Sequence, residues 1–99
     1  MSINQIEKLK LIRDSERLRT KDIADMIGVN YVTYHGYESG KAKMSLESAT
    51  KLFKHPRFRK YRDWFMFDET NPEAGQIAPV LSLSGPDQTI SSQSEKKIG

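Results

Sequence analysis

Residues 18–41, LRTKDIADMIGVNYVTYHGYESGK, contain two short amphipathic patterns on either side of Gly28. The first pattern predicts a helix over residues 20–27, because its apolar residues recur on one helical face. Gly28 stands where a chain commonly leaves a helix in the left-handed conformation, and Val29 can then turn back into the core.

The second pattern predicts a helix that is capped by Asn30 and runs to about residue 38. Tyr34 and Tyr37 lie three positions apart and therefore share one face of it. Gly36 inside this helix costs about 1 kcal/mol relative to alanine. Two helices joined by a turn of three or four residues that contains glycine are a helix-turn-helix, which is what this stretch predicts.

Amphipathic patterns on both sides predict three more helices. Residues 3–15 carry apolar residues at three- and four-residue spacing, and a capping-box pattern would begin this helix near residue 3. A fourth helix is predicted after Ser45. A fifth is predicted to begin near Pro56 and to continue to about Phe67. The inward stripe of the fourth helix is predicted to consist of Leu46, Ala49, Leu52 and Phe53.

The expected fold is all-α, with a compact five-helix domain over residues 1–70 and a largely irregular C-terminal arm or tail over residues 71–99. Residues 82–95 are dominated by Ser, Gly, Pro, Gln and Asp, which bury too little apolar surface to offset the entropy of ordering. Residues 76–83 are more apolar and could dock as an arm or a short strand. Ninety-nine residues leave little room for a second core.

Charge is distributed unevenly along the chain. Residues 1–62 carry 14 Lys and Arg against 7 Asp and Glu, whereas residues 63–99 carry 2 against 6. The first part therefore has a charge of +7 and the second a charge of −4. A basic part joined to an acidic remainder favours a polyanion-binding surface that the tail does not share.

Several classes of site have no support in the sequence. There are no cysteines, so disulfides, thiolate metal sites and cysteine nucleophiles are excluded. His35 and His55 lack a carboxylate cluster of metal-ligand spacing, and no phosphate loop or nucleophile motif is present. We expect no enzyme activity, cofactor, metal or small-molecule effector. Without an apolar run of membrane-spanning length or a signal-peptide pattern, we expect a soluble cytoplasmic protein without a membrane partner.

The pattern of residues 23–29, IADMIGV, followed by YESGK at residues 37–41, resembles the lambda-repressor-like or Cro-like family of phage helix-turn-helix proteins. The flanking helices extend this resemblance to about residue 67. The resemblance implies the five-helix fold and a transcriptional regulator that binds double-stranded DNA. The chain departs from the usual family pattern at five positions: Arg19, Thr20, Tyr34, Gly36 and Tyr37.

A recognition helix enters the major groove with its N-terminal end first. With Tyr34 and Tyr37 facing the core, four residues are expected to face the bases: Tyr31, Val32, His35 and Gly36. Tyr31 can offer its hydroxyl or place its ring against a thymine methyl, Val32 offers apolar contact, and His35 can donate to guanine N7 or O6. Gly36 is either a tolerated helix glycine or a space that lets the backbone approach the duplex.

Residues that flank the recognition helix are expected to contact the DNA backbone, where charge supplies affinity without sequence information. They are Arg19, Thr20, Lys21, Asn30, Ser39, Lys41 and Lys43. For the lysines the alternative is an ordinary solvated surface, and for Asn30 it is a role as helix cap alone.

Trp64, Met66 and Phe67 are predicted to form a homodimer interface, because one face of the fifth helix cannot bury four successive apolar side chains. A two-fold dimer would place two recognition helices about 34 Å apart, matching a pseudo-palindromic operator. In one alternative, residues 76–83 cover the patch and the protein is monomeric. In another, the protein is an antitoxin-like or adaptor module that binds a partner protein with helix 5 and the tail.

Overall fold

The computed structural model describes residues 3–80, and this part of the chain confirms the all-α class. Its helices are α1 (Gln5–Ser15), α2 (Thr20–Ile27), α3 (Tyr31–Ser39), α4 (Leu46–Lys54) and α5 (Arg62–Phe67). Two short 3-10 helices, Arg59–Tyr61 and Pro72–Ala74, lie before and after α5. The one β-type pairing within residues 3–80 is an isolated bridge between Asn71 and Gln76. The irregular arm or tail was predicted over residues 71–99, and its part beyond residue 80 lies outside the described residues.

The first helix begins two residues later than the capping-box pattern predicted. Asn4 is its N-cap, and the side-chain Oδ1 of Asn4 accepts a hydrogen bond of 2.9 Å from the Glu7 N–H. Asparagine is among the most favourable residues at this position. The predicted start near residue 3 was therefore wrong because a second capping residue stands closer to the apolar pattern.

The first helix and the turn of the helix-turn-helix have the bounds that the sequence predicted. Gly28 ends α2 in the left-handed conformation with φ 74°. The Val29 N–H donates to the Ala24 carbonyl at 3.0 Å, and the Val29 side chain is buried. Asn30 then caps α3 by accepting from the N–H groups of Val32 and Thr33. The three-residue turn is thus fixed by a backbone hydrogen bond to α2 and by the side chain of Asn30 at the start of α3.

Aromatic side chains take the inward positions of α3. Tyr34 is fully buried and Tyr37 nearly so, and their rings meet edge to face with centroids 6.3 Å apart. The Tyr37 hydroxyl lies 3.0 Å from Ser48 Oγ of α4. The rest of the buried core comes from the other four helices, the turn after α2 and the segment before α5: Leu9, Ile12, Ile23, Ala24, Ile27, Val29, Leu52, Phe53, Phe58, Tyr61 and Phe65.

The prediction of one continuous helix from Pro56 to Phe67 was wrong. After α4 the His55 carbonyl accepts from the N–H groups of both Phe58 and Arg59, at 3.0 and 3.1 Å, which closes a tight turn. This turn buries Phe58 completely, and α5 begins only at Arg62. Burial of aromatic side chains thus outweighs the helical pattern of the sequence here.

Lys8 of α1 holds the C-terminal end of α5. Its ammonium Nζ donates to the carbonyls of Trp64 and Phe65, at 3.2 and 3.0 Å, and lies 2.7 Å from Asp68 Oδ1. The Lys8 side chain is buried, whereas that of Asp68 is half exposed. A lysine therefore satisfies carbonyls that the end of a helix leaves without intrahelical partners.

Glu16, at the end of α1, joins this helix to the 3-10 segment. Its carboxylate accepts from Arg57 Nε at 2.7 Å and from the Tyr61 hydroxyl, and it pairs with Lys60 Nζ at 2.9 Å. Burial alone would raise the pKa of Glu16, but hydrogen bonds from Tyr61, Arg57 and Lys60 outweigh it and lower that pKa. Burial and the Glu16 carboxylate raise the pKa of Tyr61 to about 12.

The segment after α5 packs back on the helices as far as the structure describes it. Gln76 is buried; its side chain accepts from the Asp63 N–H at 2.9 Å and donates to the Arg59 carbonyl at 3.1 Å. The Ile77 N–H donates to the Lys60 carbonyl at 2.8 Å. Residues 71–77 therefore brace the 3-10 segment and α5.

Candidate nucleic-acid interface

Three of the four predicted base-contacting residues lie exposed on one face of α3. Tyr31 is 44% exposed and Val32 74% exposed, and His35 is also exposed. The rings of Tyr31 and His35, one helical turn apart, have centroids 5.7 Å apart. Thr33, which the sequence reasoning did not select, is exposed at the same end of the helix. The signal for Thr33 in the sequence was its place in the first turn after the Asn30 cap, the end of the helix that enters the groove first.

Gly36 differs from its predicted placement. Its own atoms are buried, so the expectation that they lie on the outer face was wrong. The chain after α3 turns back over this point, and the Gly36 carbonyl accepts from the N–H groups of Lys41 and Ala42, at 2.9 and 3.3 Å. A Cβ at Gly36 would find only the Lys41 Cβ within 4 Å, at 3.8 Å. The missing side chain thus leaves a shallow space one turn beyond Val32.

The cations at the start of α2 are compensated by carboxylates. Arg19 and Lys21 expose 89% and 72% of their side chains, but they lie 3.4 and 3.1 Å from Asp22 and Asp25. The Asp22 carboxylate also accepts from the Arg19 N–H, which lowers the pKa of Asp22. Thr20, the first residue of α2, is half-buried. This end of the motif therefore offers little uncompensated positive charge.

The turn after α3 is different, because its lysines have no such partners. Lys41 and Lys43 are exposed with Ser39, and neither lysine forms an ion pair within residues 3–80. The turn is held in place by α1, since Gln5 Oε1 accepts from the Met44 N–H at 3.0 Å. Two uncompensated cations are thus fixed at the C-terminal end of the exposed α3 face.

The exposed face of α3 carries no Asp, Glu, Lys or Arg. Glu38 is the single residue of these four types in the helix, and it is buried against Arg13 of α1. Arg13 Nε donates to both carboxylate oxygens, at 3.0 and 3.1 Å. Burial alone would lower the pKa of Arg13, but the hydrogen bond and charge of Glu38 outweigh this and raise it. The pair fixes α3 against α1.

Asn30 acts as the cap of α3 in this structure. Its Oδ1 accepts from the Val32 N–H at 2.8 Å and from the Thr33 N–H at 3.3 Å. The acceptor end of this amide is therefore occupied by the helix itself.

The predicted dimer residues separate into two environments. Trp64 is half-buried against the core, with Lys8 Nζ 5.4 Å from its ring centroid. Met66 and Phe67 are 46% and 63% exposed. Together with Leu46 of α4, they line a groove between α4 and α5. Leu46 is 77% exposed, so its predicted inward position was wrong. As the first residue of α4 it projects beyond the core that the later turns of the helix cover.

Two features of metal-binding and membrane-spanning proteins are missing from residues 3–80. This part of the chain contains no cluster of three His, Asp or Glu side chains that could hold a metal ion. None of its helices is long and apolar enough to cross a bilayer.

The sequence is 40% identical to repressor protein C of Escherichia phage P2, over 99 residues that make up the whole of both chains. The chain belongs to the same family as this phage repressor. No protein-family model matches the sequence. Because the similarity spans both chains completely, it includes the helix-turn-helix, α5 and the segment beyond them.

Proposed function

We propose that the chain is a transcriptional repressor that binds double-stranded operator DNA through a lambda-repressor-like helix-turn-helix. The observation that carries this proposal is the exposed face of α3, which has no Asp, Glu, Lys or Arg and lies next to two uncompensated lysines, Lys41 and Lys43. Kinship with a protein named as a phage repressor supports the same role, that of a regulator without enzyme activity.

In this proposal α3 lies in the major groove, and its parts have separate tasks. Tyr31, Val32 and His35 reach base edges, while the duplex approaches the space at Gly36. The DNA backbone passes on both sides of the groove. It is contacted at one side by Lys41, Lys43 and Ser39, and at the other by Arg19, Thr20, Lys21 and the capping residue Asn30.

Selection of bound sequences from a random DNA pool at physiological salt tests this function. We expect a defined operator, against which Tyr31→Ala and His35→Ala each cost about 1–3 kcal/mol and relax the preference at particular base pairs. Lys41→Ala should weaken binding to all sequences alike and reduce the slope of log affinity against log salt by about one.

Lys51→Ala is the matched control, because Lys51 is an exposed lysine outside the motif that lies 3.8 Å from Glu47. It should leave both affinity and salt slope unchanged. Equal losses on selected and random DNA for Tyr31→Ala would contradict the assignment of α3. Binding without any preferred site, abolished by salt, would favour the adaptor alternative.

We further propose that the repressor is a homodimer that buries the groove between α4 and α5. The floor of this groove is apolar, with Leu46, Met66 and Phe67 exposed, and three cations line it: Lys54, Arg59 and Arg62. The segment directly after α5 carries acidic residues at Glu69 and Glu73, beside Asp68, which already pairs with Lys8. In a two-fold pair, the acidic segment of one copy can face the basic rim of the other.

Sedimentation equilibrium at micromolar concentrations tests the dimer. Phe67→Lys should shift the protein to monomers, because a charged side chain replaces an apolar one at the centre of the groove. Val80→Lys is the control, since Val80 is exposed to a similar degree but lies outside the groove. A wild-type monomer that also binds DNA as a single copy would contradict the proposal.

A further inference from the structure

The recognition face of α3 lacks every side chain that makes paired hydrogen bonds with a base. Arginine and lysine recognise guanine, asparagine and glutamine recognise adenine, and acidic side chains accept from cytosine N4. The sequence of α3, YVTYHGYES, contains one residue of these types, Glu38. Glu38 is 5% exposed and is occupied by Arg13, so it is not available to DNA.

The residues around α3 do not replace these missing contacts. Asn30 stands at the helix start, but its Oδ1 already accepts from two backbone N–H groups, so it cannot form the paired contact with adenine that needs this oxygen. Arg19 lies at the start of α2 and is held near Asp22. Lys41 and Lys43 lie in the turn at the opposite end of α3 from the residues that enter the groove first.

The side chains that remain on the face are those of Tyr31, Val32, Thr33 and His35, which present apolar surface beside single polar groups and cannot make the paired contacts. Val32 is 74% exposed, and its side chain presents two methyl groups and no polar atom. The Tyr31 and His35 rings are tilted by 43° to each other with centroids 5.7 Å apart, and together they form an aromatic ridge beside Val32. The single apolar group that bases present in the major groove is the C5-methyl of thymine.

We infer that this repressor recognises its operator chiefly through thymine methyl groups, with Val32 and the Tyr31–His35 ridge as the contacting surfaces. The inference rests on the proposed function of α3. The space left by Gly36, one turn beyond Val32, allows the duplex to come close enough for a methyl to be buried against the valine. The operator half-site should accordingly place thymines, on either strand, opposite the first turn of α3.

Replacement of single thymines by deoxyuridine in the selected operator tests the inference, because uracil keeps the base pair and the O4 acceptor and lacks only the methyl. Each contacted methyl should be worth about fourfold in affinity, and two or more positions should show the effect. Where a contacted thymine is mutated to cytosine, replacing that cytosine by 5-methylcytosine should restore part of the lost affinity. Replacing guanines by 7-deazaguanine should lower the affinity less than replacing thymines by deoxyuridine does.

Val32→Ala identifies the protein partner of the methyl. The residue is exposed and alanine favours helix, so the variant should fold. At one operator position this variant should discriminate thymine from uracil less strongly than the wild type does. The affinity losses from Val32→Ala and from deoxyuridine should be non-additive at that position. Val80→Ala is the matched control, because Val80 is an exposed valine outside both α3 and the α4–α5 groove, and it should keep full discrimination.

The outcomes separate the inference from the function on which it rests. Specific operator binding with no loss at any deoxyuridine, or with larger losses at 7-deazaguanine, overturns methyl recognition and leaves the repressor assignment intact. Failure to select any preferred sequence overturns the proposed function itself, and the inference with it.

Discussion

Replacing Gly36 by alanine should separate the stability of the domain from its affinity for DNA. The backbone at Gly36 is helical and has no positive φ, and the new Cβ would meet only the Lys41 Cβ, at the ordinary contact distance of 3.8 Å. Alanine is more favourable than glycine inside a helix by about 1 kcal/mol. Because nothing must move, most of this should appear as added stability, a rise in Tm of about 4–8 °C for a domain of this size.

The same methyl should weaken operator binding, because it fills the space that the duplex is proposed to approach. The loss of one base contact costs about 1–3 kcal/mol, so we expect an affinity at least about fivefold lower. Thermal unfolding by circular dichroism and titration of labelled operator measure the two effects on one sample. Gly28→Ala is the matched control, since its φ of 74° strains any other residue and should lower Tm. A less stable Gly36→Ala, or one with unchanged affinity, would refute the reasoning.

Two further predictions concern buried polar groups outside the interface. Lys8→Met should lower the free energy of unfolding by about 1–3 kcal/mol in urea titrations, because it leaves the two α5 carbonyls without a donor; a neutral effect would show that water replaces the ammonium. Glu16→Gln should flatten the loss of stability in acid. The lowered pKa of Glu16 stabilises the wild type above its ordinary pKa of 4.5, and this contribution disappears as the pH falls through the lowered value. Parallel wild-type and variant stability curves from neutral to acid pH would contradict that role.

The parts of the fold that the sequence predicts well are those decided by neighbouring residues. The bounds of α2, the left-handed Gly28 and the capping of α3 and α4 by Asn30 and Ser45 all match the structure. Each depends on contacts within about four positions along the chain, and such contacts leave a direct signature in the sequence. The exposed positions of Tyr31, Val32 and His35 then follow from helical periodicity alone.

The parts that were predicted wrongly or not at all depend on residues far apart in the chain. The break before α5 arises because Phe58 and Tyr61 are buried against distant elements, which no local pattern reports. The partners of Glu38 and Lys8 lie 25 and more than 50 positions away. The buried state of Gly36 likewise depends on the course of the chain after Gly40.

One long-range ion pair and two local ones explain why the interface lacks Asp, Glu, Lys and Arg where it meets bases and is charged where it meets the backbone. Arg13 removes Glu38 from the surface, and Asp22 and Asp25 compensate the cations of α2, so the uncompensated charge of the motif is confined to Lys41 and Lys43. Charge in the turn acts through counterion release and is weakened by salt, whereas apolar contact with methyl groups is not. Raising the salt concentration should therefore lower affinity for every sequence while preserving the ranking of operators, because the salt-sensitive part of the affinity comes from groups that do not read the base sequence.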